Sequence, residues 1–166
     1  MNENQNASAP FPRTRAIEKH VVIHAPVSEV WRAWTTHEGC TSFFAPACRI
    51  NPVVGGAYEM YFMPDADIGR RGGEGCTILA MQKEKLLSFT WNAPPQLPDI
   101  REQFTHVSLY FDEMDGQTRL LLVHDGWGVN ELWDRAFAYF DRAWGDIVLP
   151  RLQRRFDEGP IKWDSI

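Results

Sequence analysis

A chain of 166 residues, 44% hydrophobic and 23% charged, has the size and composition of one globular domain with its own core. Its formal net charge of −5 provides no overall attraction for nucleic acid or an anionic membrane, so neither is expected as a partner. The sequence has no apolar stretch long enough to span a bilayer and no signal-peptide pattern, which predicts a cytoplasmic protein.

The cysteines and histidines do not follow the spacing of a metal site. Cys40, Cys48 and Cys76 are odd in number, which indicates free buried thiols in a reducing compartment. The sequence contains no HExxH, CxxC, GxSxG, phosphate-binding or dinucleotide-binding motif. We therefore expect neither a metal nor a cofactor.

Proline and glycine delimit the folded part of the chain. Residues 1–16 are polar and contain two prolines, which predicts a flexible tail. Gly159 and Pro160 end the last helical pattern. The prediction is one domain over residues 17–160, followed by a short C-terminal tail over residues 161–166.

The domain begins with a strand and two short helices. Ile17–His24 is rich in β-branched residues, which is typical of a strand. After Pro26, apolar residues at helical spacing predict a helix that stops before Gly39. A further short helical segment is predicted over Thr41–Phe44.

From residue 47 onward, apolar residues recur at every second position and turn residues separate the segments. This period predicts strands joined as hairpins. The six predicted strands are Cys48–Val53, Ala57–Met63, Gly75–Lys83, Leu86–Asn92, Thr105–Asp112 and Arg119–His124.

A long helix is predicted to begin after Asn130, a residue type that caps helices, and to run to about Glu158. Its apolar residues share one face, formed by Trp133, Phe137, Phe140, Trp144 and Val148. Pro150 should kink this helix, and Gly145 should allow another part of the chain to approach closely. Because consecutive hairpins form antiparallel sheets, the predicted fold class is α+β, with a curved sheet wrapped around the C-terminal helix.

Five segments, taken in chain order, make the assignment more specific: HAPVSEVWRAWT, VVGGAYEM, KLLSFTW, TRLLLVHDGW and AWGDIVLPRLQRRF. They resemble the START-like (SRPBCC) superfamily, and in particular its bacterial branch related to the activator of the heat-shock-protein-ninety ATPase. The resemblance covers about residues 17–158. It implies a helix-grip fold with a cavity between sheet and long helix, which the superfamily uses for lipids, hormones and polyketides. It implies no common chemistry, and a chaperone contact only by analogy.

Aromatic residues make up 13% of the chain, including seven tryptophans, and such rings line ligand cavities as well as cores. The alternation predicts which side chains point toward the implied cavity. Phe89 and Val107 also point toward it, in addition to the candidates named next. The candidate ligand-binding residues are Trp34, Phe44, Tyr58, Met60, Phe62, Ile78, Trp91, Leu109, Leu122, His124, Phe137, Phe140 and Trp144.

His124 is the polar member of this set, on the same strand face as Leu120 and Leu122. It matches a histidine common at this place in the family. It is interpreted either as a group that faces the cavity and titrates near neutrality, or as a core histidine with satisfied hydrogen bonds, and the second is favoured. Glu59 alternates to the face opposite Tyr58, which predicts exposure to solvent.

The aromatic lining and the lack of convergent catalytic groups favour binding of an apolar or aromatic small molecule without chemistry. Two alternatives stay open. One is a protein-interaction module like the chaperone activator, and the other is a cyclase or hydratase that uses His124 or a tyrosine. Leu121 and Val123 form a second apolar face on the last strand, which indicates either a homodimer contact or local cover by a loop.

Overall fold

A computed structural model describes residues 15–166 of the chain. The tail predicted over residues 1–16 lies outside the described residues, apart from Arg15 and Ala16. The strands are β1 (Ile17–Ile23), β2 (Ala47–Ile50), β3 (Tyr58–Tyr61), β4 (Ile78–Gln82), β5 (Leu86–Trp91), β6 (Thr105–Met114) and β7 (Gln117–Asp125). The helices are α1 (Val27–Thr35), α2 (His37–Thr41), α3 (Glu131–Arg142), a π-helical segment (Ala143–Val148) and α4 (Leu149–Glu158).

Five strands form an antiparallel sheet in the order β1-β7-β6-β5-β4, and β2 and β3 form a separate hairpin. Backbone hydrogen bonds connect this hairpin to the chain that leads into β4. The amide of Tyr58 donates to the carbonyl of Cys76 at 2.8 Å, and the amide of Gly73 donates to the carbonyl of Met60 at 2.7 Å. The hairpin therefore extends the curved sheet, and the predicted α+β helix-grip fold is confirmed.

The alternation of β6 and β7 sets one face of the sheet against the core. In β6, Val107, Leu109 and Phe111 are buried, whereas Tyr110 is exposed. The turn to β7 uses Asp115 with φ 50° and Gly116 with φ 80°. Positive φ at both central turn residues fits the twist of a two-residue hairpin. The period of two thus predicted both the hairpin and the buried face correctly.

The second short helix begins earlier than predicted, because the side chain of Thr36 caps it. Thr36 Oγ1 accepts a hydrogen bond from the amide of Gly39 at 3.0 Å, so Gly39 lies inside α2 instead of ending α1. A Cβ atom at residue 39 would lie 2.3 Å from the carbonyl oxygen of Arg32. The glycine therefore permits the tight corner between α1 and α2, and Phe43 and Phe44 follow in a buried turn.

The C-terminal helix, which comprises α3, the π segment and α4, begins where predicted. Asn130 Oδ1 accepts from the amide of Trp133 at 3.1 Å. The π segment ends at Val148, two residues before Pro150, and the amide of Leu149 donates to the carbonyl of Trp144, five residues earlier. The kink predicted at Pro150 stays a prediction, and the irregularity in this helix is the wider π turn that precedes the proline.

Gly145 lies in the same π segment and allows the approach predicted for it. A Cβ atom at this position would lie 3.3 Å from Cε and Nζ of Lys19. The ammonium group of Lys19 pairs with Asp141 at 2.8 Å. A charged side chain of β1 therefore crosses the helix at its least bulky residue.

Residues 161–166, which the sequence sets apart as a tail, contact the domain near α2. The amide of Ile161 donates to the carbonyl of Ser42 at 2.8 Å, and the Ile161 side chain is buried. Trp163 Nε1 donates to the carbonyl of Thr41 at 2.7 Å. Over residues 15–166, no helix combines the length and the apolar character needed to cross a membrane.

Candidate functional site

A groove of about 200 Å³ opens between the C-terminal helix and the concave side of the curved sheet. One wall is formed by side chains from the turn after α2, the end of β3 and the end of β5. The other wall is formed by the helix, centred on the π segment. The lining residues are Phe44, Phe62, Trp91, Tyr139, Phe140, Ala143, Trp144, Ile147, Val148 and Arg151.

Three buried rings form the floor of the groove. Phe44 and Trp91 are stacked, with ring centroids 5.7 Å apart and planes inclined by 18°. Trp144 lies 5.7 Å from Phe44 and 5.8 Å from Trp91, centroid to centroid. All three side chains are 3% exposed or less. Such close-packed rings form a rigid apolar base that closes the bottom of the groove.

The rim of the groove exposes large apolar side chains to water. Phe62 is 40% exposed, Ile147 45% and Tyr139 51%. Each would gain free energy from burial, at about 25 cal/mol for each Å² removed from water. Exposed apolar side chains around a concave surface are typical of binding sites.

The π segment keeps the helix residues of the groove in register. Phe140, Trp144 and Val148 are spaced by four, which is slightly more than one α-helical turn, so in a regular helix they would drift around the axis. The wider π turn reduces this drift between Trp144 and Val148, and the side chains of all three residues are buried. The local irregularity before Pro150 thus shapes the helix wall of the groove.

Five of the thirteen candidate residues come together in the groove: Phe44, Phe62, Trp91, Phe140 and Trp144. Seven others are at most 2% exposed and lie in the core: Trp34, Tyr58, Met60, Ile78, Leu109, Leu122 and His124. Phe137 lies closer to the start of the helix, where it contacts the Trp127 ring at 5.3 Å and the Arg15 guanidinium at 4.9 Å. The likewise predicted Phe89 and Val107 are fully buried.

His124 is fully buried and both of its ring nitrogens are hydrogen-bonded. Its Nδ1 accepts from Nε1–H of Trp144 at 3.0 Å, so the proton of the neutral ring lies on Nε2. His124 Nε2 lies 2.7 Å from Oγ1 of Thr105, which donates its own proton to the carbonyl of Trp91 at 3.0 Å. This chain of three hydrogen bonds connects the helix, β7, β6 and β5.

Burial lowers the pKa of His124 to about 3, and the neighbouring His106 lowers it further as a smaller cause. The imidazole is therefore neutral near pH 7. Its contact with the groove is indirect, through the Trp144 indole that it holds in place. These contacts are those of a core histidine that orients a ring of the groove floor.

Five lining residues are not among the candidate binding residues: Tyr139, Ala143, Ile147, Val148 and Arg151, of which only Val148 belongs to the predicted apolar face of the helix. Arg151 is the charged member of this set. Its spacing held a signal, since it follows Trp144 by seven residues and Ile147 by four, which places all three along one side of a helix.

Glu59 was predicted to face solvent, and that prediction is wrong. Its side chain is buried because it accepts hydrogen bonds from the hydroxyl of Tyr61 at 2.6 Å and the amide of Gly75 at 2.7 Å. Burial, with the adjacent Glu59 carboxylate as a smaller cause, raises the pKa of Tyr61 to about 12. The Glu59 carboxylate therefore connects β3 to the segment before β4 by a hydrogen bond and does not line the groove.

The three cysteines are free and buried, as predicted. Burial raises the pKa of Cys48 to about 11 and that of Cys76 to about 12, so these thiols are poor nucleophiles near neutrality. Among residues 15–166, no three or more His, Cys, Asp or Glu side chains cluster in a way that could hold a metal ion.

A curved antiparallel sheet closed by one long helix, with an apolar groove between them, defines a helix-grip domain. The model of the family described as "Activator of Hsp90 ATPase homolog 1-like protein" matches residues 24–156. The chain belongs to this family, which confirms the assignment made from the five sequence segments.

Solved structures share the fold at low sequence identity. A Mesorhizobium loti protein has a TM-score of 0.70 at 22% identity and covers 89% of this chain and 100% of its own. The Aha1 dimer of Colwellia psychrerythraea has a TM-score of 0.67 at 18% identity, covering 87% and 98%. An HSP90 activator from Plasmodium falciparum has a TM-score of 0.63 at 14% identity, covering 88% and 97%. No curated protein is significantly similar to this chain in sequence.

Proposed function

We propose that the protein binds a small aromatic molecule in the groove and does not alter it chemically. The observation that carries the proposal is the combination of a stacked, buried floor of Phe44, Trp91 and Trp144 with an exposed apolar rim. The buried floor keeps the groove rigid and apolar, and the exposed rim loses unfavourable contact with water when an aromatic ligand packs against it.

The size of the groove limits the ligand. Ligand pockets commonly enclose about 300–1,000 Å³, and an apolar cavity of about 150 Å³ accommodates benzene. A groove of about 200 Å³ therefore fits one aromatic ring with a short substituent. Steroids and long acyl chains exceed this volume.

The composition of the lining supports binding over acid–base catalysis. The side chains that line the groove include no carboxylate, imidazole or thiol within the described residues. His124, the candidate acid–base group, is neutral and separated from the groove by Trp144. A cyclase or hydratase needs a group that can move a proton at the ligand, and of the two kinds considered, His124 or a tyrosine, the lining contains only the hydroxyl of Tyr139.

A groove-filling substitution tests the proposal. Ala143 lines the groove, so Ala143→Leu should fill it and abolish the thermal stabilisation that single-ring aromatic compounds give to the wild type. A ligand at about one hundred times its Kd adds about 2.7 kcal/mol of stability. Ala138→Leu, at an exposed position of the same helix, is the matched control and should retain the stabilisation. Equal stabilisation of both variants would place binding elsewhere and contradict the proposal.

A contact with an Hsp90-type chaperone is the second candidate, and family membership is the observation that favours it. The Plasmodium falciparum relative is described as an HSP90 activator, which applies to that protein. If this chain acts in the same way, adding it should raise the ATPase rate of a purified Hsp90, and Ala143→Leu should not weaken that effect. An unchanged rate at saturating protein would count against this candidate.

A homodimer through the outer face of the sheet is a further proposal. Leu121 is partly buried beside its cross-strand neighbours His20 and Tyr110, and Val123 is likewise partly buried. The Colwellia psychrerythraea relative is described as a dimer. Sedimentation velocity should show a dimer that Leu121→Glu converts to a monomer, whereas a wild-type monomer at every concentration would rule this interface out.

The three free thiols support the proposal of a reducing, cytoplasmic location.

A further inference from the structure

Arg151 places a positive charge at one end of the groove. Arg151 lies in the first turn of α4 and lines the groove beside Ile147 and Val148 of the π segment. Tyr139 lines the groove twelve residues earlier, which corresponds to about 18 Å along the helix axis. The groove is therefore elongated, with apolar side chains along its length and a guanidinium group at its C-terminal end.

This guanidinium has no anionic partner within residues 15–166. No carboxylate oxygen of the described chain lies within 4 Å of it, and its side chain makes no hydrogen bond there. The other arginines of α4 differ: Arg154 pairs with Glu158 at 2.9 Å, and Arg155 donates to Ser42 Oγ at 3.1 Å. Because Arg151 is also partly buried, it lacks both full hydration and a counter-charge. Burial lowers the pKa of Arg151 from its usual value, and a charge in such surroundings is stabilised by an anion.

The guanidinium of Arg151 lies over the ring of Trp163. The Arg151 guanidinium carbon lies 5.2 Å from the centroid of the Trp163 ring, and the Trp163 indole is itself held by its hydrogen bond to the carbonyl of Thr41. Stacking on an aromatic face uses the face of the guanidinium plane and leaves its N–H donors at the edge available. An edge with parallel N–H donors matches the two oxygens of a carboxylate.

We propose that the ligand is an aromatic monocarboxylic acid whose carboxylate binds Arg151 while its ring packs in the groove against the exposed rim side chains. This inference rests on the proposed function and narrows its ligand class. The apolar lining selects the ring, the volume of about 200 Å³ limits the molecule to one ring with a short arm, and Arg151 selects the anion. Neutral aromatic molecules of the same shape bind the same groove more weakly.

Titration calorimetry with 3-phenylpropanoate and its uncharged amide, 3-phenylpropanamide, tests the inference on the full chain. A hydrogen-bonded charge is worth about 1.5–3 kcal/mol, so the wild type should bind the acid roughly ten to a hundred times more tightly than the amide. Arg151→Gln should bring the two affinities to within about threefold, by loss of affinity for the acid alone. Arg154→Gln, at the exposed arginine paired with Glu158, should leave the preference unchanged. Circular dichroism and melting temperature establish that each variant is folded.

The outcomes separate the inference from the function on which it rests. If acid and amide bind the wild type equally, or if the preference persists in Arg151→Gln, the carboxylate inference is overturned and the groove remains a binding site. If neither compound binds the wild type, both proposals are overturned. Should Arg151→Gln fail to fold, Arg151→Lys serves instead, because it retains the charge but loses the paired donors and should still reduce the preference.

Discussion

The indole of Trp144 donates a hydrogen bond to Nδ1 of His124 across 3.0 Å, and this bond joins the centre of the C-terminal helix to β7. Trp144 is a floor ring of the groove, whereas His124 lies wholly in the core. The histidine thus positions the ring, and Thr105 in turn positions the histidine. The groove floor and the polar core are therefore parts of one hydrogen-bonded structure.

Two buried tryptophans form a natural pair for testing the Trp144–His124 bond. Trp144 Nε1 is bonded, whereas Trp34 Nε1 is buried without a hydrogen-bond partner among the described residues. Replacement by phenylalanine removes a similar volume at both sites but breaks a hydrogen bond only at Trp144. Trp144→Phe should therefore lower the free energy of unfolding by about 1–3 kcal/mol more than Trp34→Phe, measured by urea denaturation. A larger loss for Trp34→Phe would contradict this assignment of hydrogen bonds.

The low pKa of His124 predicts a loss of stability in mild acid. In the folded state its pKa is about 3, against 6.5 for an ordinary histidine, so between these values the unfolded chain binds a proton that the folded chain excludes. Stability is then complete above about pH 6.5 and falls as the pH decreases, by about 1.4 kcal/mol for each pH unit. From pH 6.5 to 5, the wild type should lose about 2 kcal/mol more than His124→Gln.

The control for the pH experiment is His37→Gln, which removes an exposed histidine. It should keep the wild-type dependence of the unfolding free energy on pH. If His124→Gln and the wild type lose stability in parallel between pH 6.5 and 5, His124 is not the group that is kept neutral by folding.

Thr105 occupies the far end of the same chain of hydrogen bonds, and its replacement should be costly. Thr105→Val keeps the shape of the side chain but leaves Nε2–H of His124 without its acceptor, at a cost of about 1–3 kcal/mol. Thr118→Val is the comparison, since that hydroxyl is equally buried but donates only to the carbonyl of Ala25, at 2.8 Å. Thermal unfolding should show the greater loss for Thr105→Val, and a greater loss for Thr118→Val would argue against the His124 network.

Two glycines should respond in opposite directions to replacement by alanine. A Cβ atom at residue 39 would lie 2.3 Å from the backbone oxygen of Arg32, which cannot move without separating α1 from α2. Gly39→Ala should therefore destabilise the protein by about 1–3 kcal/mol or more. At Gly145, the atoms nearest to an added Cβ are those at the flexible end of the Lys19 side chain, at 3.3 Å. Because this side chain can move and alanine favours the helical backbone, Gly145→Ala should be neutral or stabilising by up to about 1 kcal/mol. Urea denaturation distinguishes the two, and equal losses would contradict the geometry.

The site could be predicted from the sequence only in part, because hydrophobic periodicity indicates the face of a strand or helix but not the space beside each side chain. Alternation correctly oriented Trp91 and Leu122 toward the interior, yet Trp91 lines the groove while Leu122 is enclosed in the core. A period of two or of 3.6 states which face a side chain is on, but not whether another side chain fills the space beside it. For the same reason Glu59 was assigned to solvent: the loop containing Gly75 covers its face.

The sequence by itself determined the order of the strands and helices, the buried face of β6 and β7, and the cap at Asn130, because local periodicity and turn chemistry decide these features. It also determined the family through segments that follow one another along the chain. Only the tertiary structure decided that Arg151 has no partner within residues 15–166, that His124 is bonded by Trp144 and Thr105, and that the open space lies beside the π segment. These features arise between residues that are distant in the chain, where packing selects the contacts that a local pattern leaves undetermined.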